Sequence, residues 1–289
     1  NYKQSIRNLA ECGIRKIIYN FMPVLDWIRT DLHYRLPDGS QCLRFDPVQF
    51  AAFDIFVLKR DGAADERSPE QVEKAKAFFD SLDSAQKKAF ERSIIDVFPG
   101  CKMGLEIEDV RKMLARYDGI TPQKLRDNLV EFLKEVTPAA EEVGAILAIH
   151  PDDPPFPVLG LPRIASRVED FREIFEKCPS KANTICFCTG SLSAGIHNDL
   201  SYMADALADR IYIAHLRSTQ VNPDGSFFEA GHLEGRVPMV DVVEKLMRLQ
   251  DKRLAQGGEK IVFRPDHGRD MADDLSKPPT ANPGYSFIG

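Results

Sequence analysis

Ala145-Ile146-Leu147-Ala148-Ile149-His150 is an unbroken apolar run that ends on an imidazole. It is too short for a stable helix and apolar at every position before His150. That combination predicts a strand buried on both faces of a parallel sheet. The pattern recurs downstream in Thr184-Ile185-Cys186-Phe187-Cys188, in Ile211-Tyr212-Ile213-Ala214-His215 and in Lys260-Ile261-Val262-Phe263-Arg264. Helical segments at 168–177, 199–208 and 240–255 alternate with these runs. Upstream, Ile14 to Phe21 reads as a further strand, after a helix that carries Tyr2, Ile6, Leu9 and Ala10 and stops at Gly13. Five strands alternating with helices imply right-handed βαβ units in one parallel sheet. A closed (β/α)8 barrel needs eight.

Between the first strand and the second the rhythm is different. Residues 24 to 45 carry turn signals and little periodicity, with a turn expected at Pro37-Asp38-Gly39-Ser40. From there to about residue 135 the chain is rich in charged helix formers. Helices are expected over 49–59, 69–82, 84–97 and 106–117. A fifth starts at Thr121-Pro122, runs to Val136 and resumes after Pro138. The expectation is one domain over 1–289 with a helical insertion at about 30–135.

Composition narrows the function classes. The 289 residues carry a net charge of -6, with 43% hydrophobic and 28% charged residues. No basic stripe with interleaved aromatics suggests nucleic acid. No apolar run approaches the roughly 18 residues of a spanning helix. Six cysteines without a regular framework read as reduced thiols, which points to the cytoplasm. The chain opens at Asn1 inside a helical pattern and closes on the apolar Phe287-Ile288-Gly289, so both ends read as cut.

The last four strands share a feature at their carboxyl ends, where active sites of parallel α/β folds sit. His150 closes the first, Cys188 the second, His215 the third and Asp266, in Arg264-Pro265-Asp266-His267-Gly268, the fourth. Singly, each has an ordinary explanation: a capping His, a core Cys, an Asp that starts a helix. Together they point to one divalent cation, because imidazole, thiolate and carboxylate suit Zn²⁺, Mn²⁺ or Fe²⁺. Cys186 lies deeper on the same face and reads as core. His267 adjoins a ligand and is placed for proton transfer. Tyr285 sits in the loop Asn282-Pro283-Gly284-Tyr285. Glu229 and His232 lie in a long polar loop after His215 that could fold over the site. Arg163 and Arg217 could clamp an anionic substrate. His33 reads as surface.

These segments resemble the mannonate dehydratases of bacterial hexuronate breakdown. The likeness rests on Tyr19-Asn20-Phe21-Met22-Pro23-Val24-Leu25-Asp26-Trp27, His150-Pro151-Asp152-Asp153-Pro154-Pro155, Gly160-Leu161-Pro162-Arg163-Ile164, Cys188-Thr189-Gly190-Ser191, His215-Leu216-Arg217-Ser218-Thr219, Arg264-Pro265-Asp266-His267-Gly268 and Asn282-Pro283-Gly284-Tyr285. It spans essentially the whole chain. The resemblance implies a TIM (β/α)8 barrel, here truncated at both ends, with a helical insertion after an early strand. It implies Mn²⁺, or Fe²⁺ or a similar ion, held by His150, Cys188, His215 and Asp266. It implies His267 and Tyr285 as the catalytic pair, with Asn20, Arg163, Arg217 and His232 near substrate. The implied reaction converts D-mannonate to 2-keto-3-deoxy-D-gluconate and water, in a cytoplasmic homo-oligomer, expected to be a dimer, with no nucleic-acid or membrane partner. Gly235-Arg236 departs from the acidic pattern expected after His232.

Dehydration of a 2,3-dihydroxy acid removes the proton at C2 and expels the hydroxyl at C3. One base and one acid are therefore needed. The residues alone leave two alternatives open: another divalent-metal barrel enzyme, such as a sugar isomerase or epimerase, or a non-catalytic protein that binds a metal or sugar acid.

Overall fold

The computed structural model describes residues 1–96, 104–277 and 284. Helix α1 (Tyr2–Glu11) leads into strand β1 (Lys16–Tyr19), and a hairpin of β2 (Asp31–Arg35) and β3 (Gln41–Phe45) follows. The helical region comprises α2 (Pro47–Ala52), a π-helical turn over Phe53–Leu58, α3 (Pro69–Ser81), α4 (Ser84–Ile95), α5 (Ile107–Ala115) and α6 (Pro122–Glu142). Then come β4 (Ile146–Ile149), α7 (Val168–Lys177), β5 (Asn183–Cys188), α8 (Thr189–Ser193), α9 (Leu200–Ala206) and β6 (Ile211–Leu216). A second hairpin, β7 (Thr219–Val221) and β8 (Phe227–Glu229), precedes α10 (Met239–Ala255) and β9 (Val262–Pro265).

The five expected strands pair in parallel in the order β1-β4-β5-β6-β9, which is also their order in the chain. With right-handed crossovers, a sheet that never reverses its order keeps its helices on one side. It therefore curls as an arc of a barrel. The core follows from this. Leu129 and Leu133 of α6, Phe171 and Ile174 of α7, Met203 of α9 and Val242 and Leu246 of α10 pack on Ile149, Ile185, Phe187, Ile211 and Ala214. The opposite face of the same strands carries Ala148, Cys186 and Ile213, buried against one another. Side chains alternate along a strand, so the residues two further on share that inner face. They are His150, Cys188 and His215.

Several helix starts coincide with their sequence signals because the caps are made by side chains. Ser68 with Gln71 and Asp83 with Gln86 close capping boxes at α3 and α4, and Thr121 caps α6. Two features differ from the sequence expectation. Helix α6 does not stop at Val136 but passes through Pro138 to Glu142. Val136, Thr137, Ala139 and Ala140 around the proline are all buried, and this packing outweighs the one lost backbone hydrogen bond. The aperiodic stretch before residue 46 and the loop after His215 also contain strands. They join as one antiparallel sheet in the order β2-β3-β8-β7, with Phe45 opposite Phe227 and Arg44 opposite Phe228. The turn at 37–40 is the turn of the first hairpin. Since β2–β3 follows the end of β1 and β7–β8 follows the end of β6, this small sheet stands at the carboxyl ends of the parallel strands.

Candidate metal centre

His150, Cys188 and His215 come together at those strand ends, each offering one donor atom within 4.8 Å of the others. Strands β5 and β6 set Cys188 directly beside His215 in register. His150 follows the last residue of β4, and its Nδ1 lies 2.8 Å from the Pro151 carbonyl. That contact keeps a proton on Nδ1 and makes Nε2 the atom that can bind an ion, the usual way a second contact orients a ligating imidazole. His215 Nδ1 is buried with no hydrogen-bond partner among the described residues. Asp266 is set back from the trio: its Oδ2 is 3.9 Å from His215 Nδ1 and 3.8 Å from His267 Nε2.

The electrostatics suit a cation. Burial pushes the Cys188 thiol up, but the charges of His150 and Arg217 and hydrogen bonds from His150 and His215 overcome it and hold the thiol well below its usual range. Ser191 Oγ adds a hydrogen bond to the sulfur at 3.3 Å. Burial opposes a charge on His150, yet the neighbouring Cys188 sulfur and the Pro151 carbonyl raise its pKa to about 9. A thiolate thus faces an imidazolium, and an incoming ion would take the place of that proton. A thiolate, two imidazoles, a nearby carboxylate and an orphaned buried ring nitrogen together fit a divalent ion of borderline softness.

Around this trio lies a charged group that sequence reasoning did not assemble. Arg29, Asp153, Arg217 and Glu229 are each no more than 2% exposed. Arg29 donates to both Asp153 oxygens at 2.8 and 3.2 Å and to Glu229 Oε1 at 2.9 Å. Arg217 Nη2 donates to Asp153 Oδ2 at 2.8 Å, and its Nε lies 3.1 Å from Glu229 Oε2. With both carboxylates ionised the four charges sum to zero, as a buried ionic cluster requires. Arg217 passes directly over Gly190, where a β-carbon would lie 2.0 Å from its Nε. The glycine of Cys188-Thr189-Gly190-Ser191 is there to let the arginine through.

Arg217 Nη1 lies 3.1 Å from His267 Nε2. Guanidinium can only donate, so Nε2 accepts and the neutral ring carries its proton on Nδ1. Burial, with the charge of Arg217, keeps His267 well below the usual imidazole value, so the ring is neutral at neutral pH. His267, Asp266 and His232 line a cavity of about 480 Å³ together with Asp38 and Ser40 of the β2–β3 turn, and with Gly268 and Gly284.

The remaining expected residues divide. His232 accompanies the site, its Nε2 2.9 Å from the Asp266 carbonyl. Arg217 is at the site, but committed to Asp153, Glu229 and His267. Arg163 serves the scaffold: its guanidinium donates to the Asp26 carbonyl at 2.9 Å and lies 3.9 Å from Asp152. Asn20 donates to Asp26 from an exposed position. Glu229 ends strand β8 and is fully buried beside the site. Arg236 accounts for the departure at Gly235-Arg236, because it binds the carbonyls of Ser193, Gly195 and Ile196 at and just after the end of α8. Tyr285, Asn282 and Pro283 lie outside the described residues. Gly284, next to Tyr285, packs so closely on Gly268 that a β-carbon would lie 2.3 Å from the Gly268 carbonyl oxygen. Asp153 had one sequence signal, its place in the His150-Pro151-Asp152-Asp153 segment, whereas Arg29 lies two residues beyond the Tyr19–Trp27 segment and had none.

The profile of the D-mannonate dehydratase (UxuA) family matches residues 1–289. The mannonate dehydratase of Chromohalobacter salexigens is 46% identical over 289 residues, covering 100% of this chain and 73% of that protein. That of Saccharophagus degradans is 44% identical over 291 residues, with the same coverage of each. The crystal structure of mannonate dehydratase from Streptococcus suis serotype 2 superposes with a TM-score of 0.70 at 30% identity, over 99% of this chain and 65% of that one. This chain belongs to the D-mannonate dehydratase family.

Proposed function

We propose that this chain dehydrates D-mannonate to 2-keto-3-deoxy-D-gluconate at the strand-end site, with a divalent ion held by His150, Cys188, His215 and Asp266. The observation that carries this reading is the convergence of three donors from three different strands within 4.8 Å, beside a cavity lined by a neutral, buried His267. Mn²⁺ or Fe²⁺ is the ion proposed, since two imidazoles and a carboxylate beside one thiolate suit either. When bound, the ion stabilises the negative charge that develops on the substrate as its C2 proton leaves.

The chain's own groups supply the proton transfers. His267 is neutral, with its lone pair on Nε2 held by Arg217 Nη1. In the proposed sequence a substrate oxygen takes over the Arg217 Nη1 donor, and His267 Nε2 is released to exchange a proton with the substrate. Arg217 stays anchored meanwhile through Asp153 and Glu229. Tyr285 is proposed as the partner that acts on the other reacting position. The close contact of Gly284 with Gly268 supports this, because Gly284 directly precedes Tyr285 in the sequence. The β2–β3 turn forms one wall of the cavity through Asp38 and Ser40.

A cytoplasmic homo-oligomer is part of the same proposal. The five free cysteines among the described residues support the cytoplasmic location. No described helix is long and apolar enough to cross a membrane. The test is incubation of the Mn²⁺-loaded protein with D-mannonate while 2-keto acid is followed. Catalytic formation of 2-keto-3-deoxy-D-gluconate supports the reading. Tight binding of mannonate without turnover, or an isomer formed without loss of water, contradicts it.

A further inference from the structure

Glu229 is more deeply enclosed than any other carboxylate near the cavity, and half of it has no hydrogen bond. Its Oε1 accepts from Arg29 at 2.9 Å. Its Oε2 is buried with no hydrogen-bond partner among the described residues. Arg217 Nε, 3.1 Å away, is misaligned and likewise lacks a hydrogen bond, so that contact is a Coulombic one. The other polar atom facing Oε2 is His267 Nδ1, at 3.8 Å. His267 thus stands between a guanidinium on its Nε2 side and a carboxylate on its Nδ1 side. Both neighbours favour one tautomer, with the proton on Nδ1 and the lone pair on Nε2.

We propose that Glu229 is a positioning residue for proton transfer: its carboxylate, delivered by the β7–β8 hairpin and fixed by Arg29, holds the Nδ1–H tautomer of His267 so that Nε2 is the atom that exchanges a proton with substrate. The inference rests on the catalytic role given to His267 above. It accounts for the position of the second hairpin, which carries a charged residue into a fully buried place at the end of β8. It also gives Arg29 a purpose, since Arg29 offers no donor to a metal ion. With Oε1 claimed by Arg29, Oε2 must face His267.

The test uses full-length protein, two variants and two readouts. In Glu229→Gln the amide oxygen goes to Arg29, which turns the NH2 toward His267 and favours the opposite tautomer. Turnover is expected to fall by about 100-fold or more, with KM changed by no more than roughly threefold, as for loss of an orienting carboxylate. The nitrogen-15 resonances of the His267 ring in the zinc-loaded protein should show Nδ1–H in the native chain and lose it in the variant. In Glu229→Met/Arg29→Met, one positive and one negative charge leave together. The melting temperature should then return toward the native value while turnover stays low. Turnover that recovers with the melting temperature overturns the proposal, because it would show Glu229 acting only as a counter-charge. So does a native His267 protonated on Nε2, or a Glu229→Gln variant with turnover within roughly threefold of native. If the native protein does not dehydrate mannonate at all, the proposed function fails, and the ring resonances still decide between Glu229 as tautomer holder and as counter-charge.

Discussion

Gly190→Ala is a substitution for which local and tertiary physics predict opposite signs. Gly190 lies inside α8, and on helix propensity alone alanine should stabilise by about 1 kcal/mol. The tertiary structure forbids it. A β-carbon at 190 would lie 2.0 Å from Arg217 Nε and 2.6 Å from both its Cβ and Cδ. These are the root and middle of the side chain, not its mobile end, so the whole arginine must leave its track. Overpacking of this kind costs about 1–3 kcal/mol if nothing yields. If Arg217 yields instead, Asp153 and Glu229 share a single buried partner, Arg29, and breaking such a pair costs about 3–5 kcal/mol. The two costs are alternatives more than addends, so a net loss of about 3 kcal/mol is expected. For a chain of this size that lowers the melting temperature by roughly 5 °C. Turnover should fall as well, because Arg217 is the residue that meets His267 Nε2. Thermal unfolding followed by circular dichroism, with a mannonate assay on the same preparation, checks both. An unchanged or raised melting temperature would refute the claim that Gly190 exists to pass Arg217.

Other outcomes follow from the same geometry. Cys188→Ala should leave a folded protein that retains much less divalent ion after dialysis, read by elemental analysis; a fully loaded variant removes Cys188 from the ligand set. His267→Gln and Tyr285→Phe should each lower turnover by about 100-fold while metal content stays at the native level, and full activity in both would end their assignment as the proton-transfer pair. Metal affinity should depend on pH with a definite sign. His150 has its pKa raised from 6.5 to about 9. In the metal-free protein the stability from its protonation is therefore complete below about pH 6.5 and is lost as pH rises through about 9. The ion requires the neutral ring, so affinity should climb over that interval, with proton release visible as a buffer-dependent calorimetric heat. An affinity that does not change between about pH 6.5 and 9 contradicts the His150–Cys188 pairing.

The centre of the parallel sheet is legible in the sequence because β4 and β5 are buried on both faces, whereas β1 and β9 at its margins are largely exposed or half-buried. Ala145 to His150 and Thr184 to Cys188 have no polar alternation to blur them, and each ends on a residue whose chemistry is distinctive. The antiparallel sheet is not legible in the same way. Asp31–Arg35 and Thr219–Val221 are three to five residues long and mixed in polarity, and they become strands only by pairing across the chain through Phe45 and Phe227. Pro138 misleads for a related reason: the buried residues around it decide, and their burial is tertiary. Within the site, His150, Cys188 and His215 were recognisable from their strand-end positions, whereas the Arg29–Asp153–Glu229 group was not. Its members are 124 and 200 residues apart, and no spacing rule connects them. What marks them is adjacency in sequence to site residues: Asp153 follows His150 by three positions, and Arg217 follows His215 by two.

The central claim, that one divalent ion is held by donors from successive strand ends, is tested most directly by X-ray absorption at the metal edge of the zinc-loaded protein. A single sulfur at about 2.3 Å with nitrogen and oxygen neighbours at about 2.0–2.2 Å is the predicted shell, the sulfur being that of Cys188. A shell of nitrogen and oxygen alone, unchanged in Cys188→Ala, would contradict it.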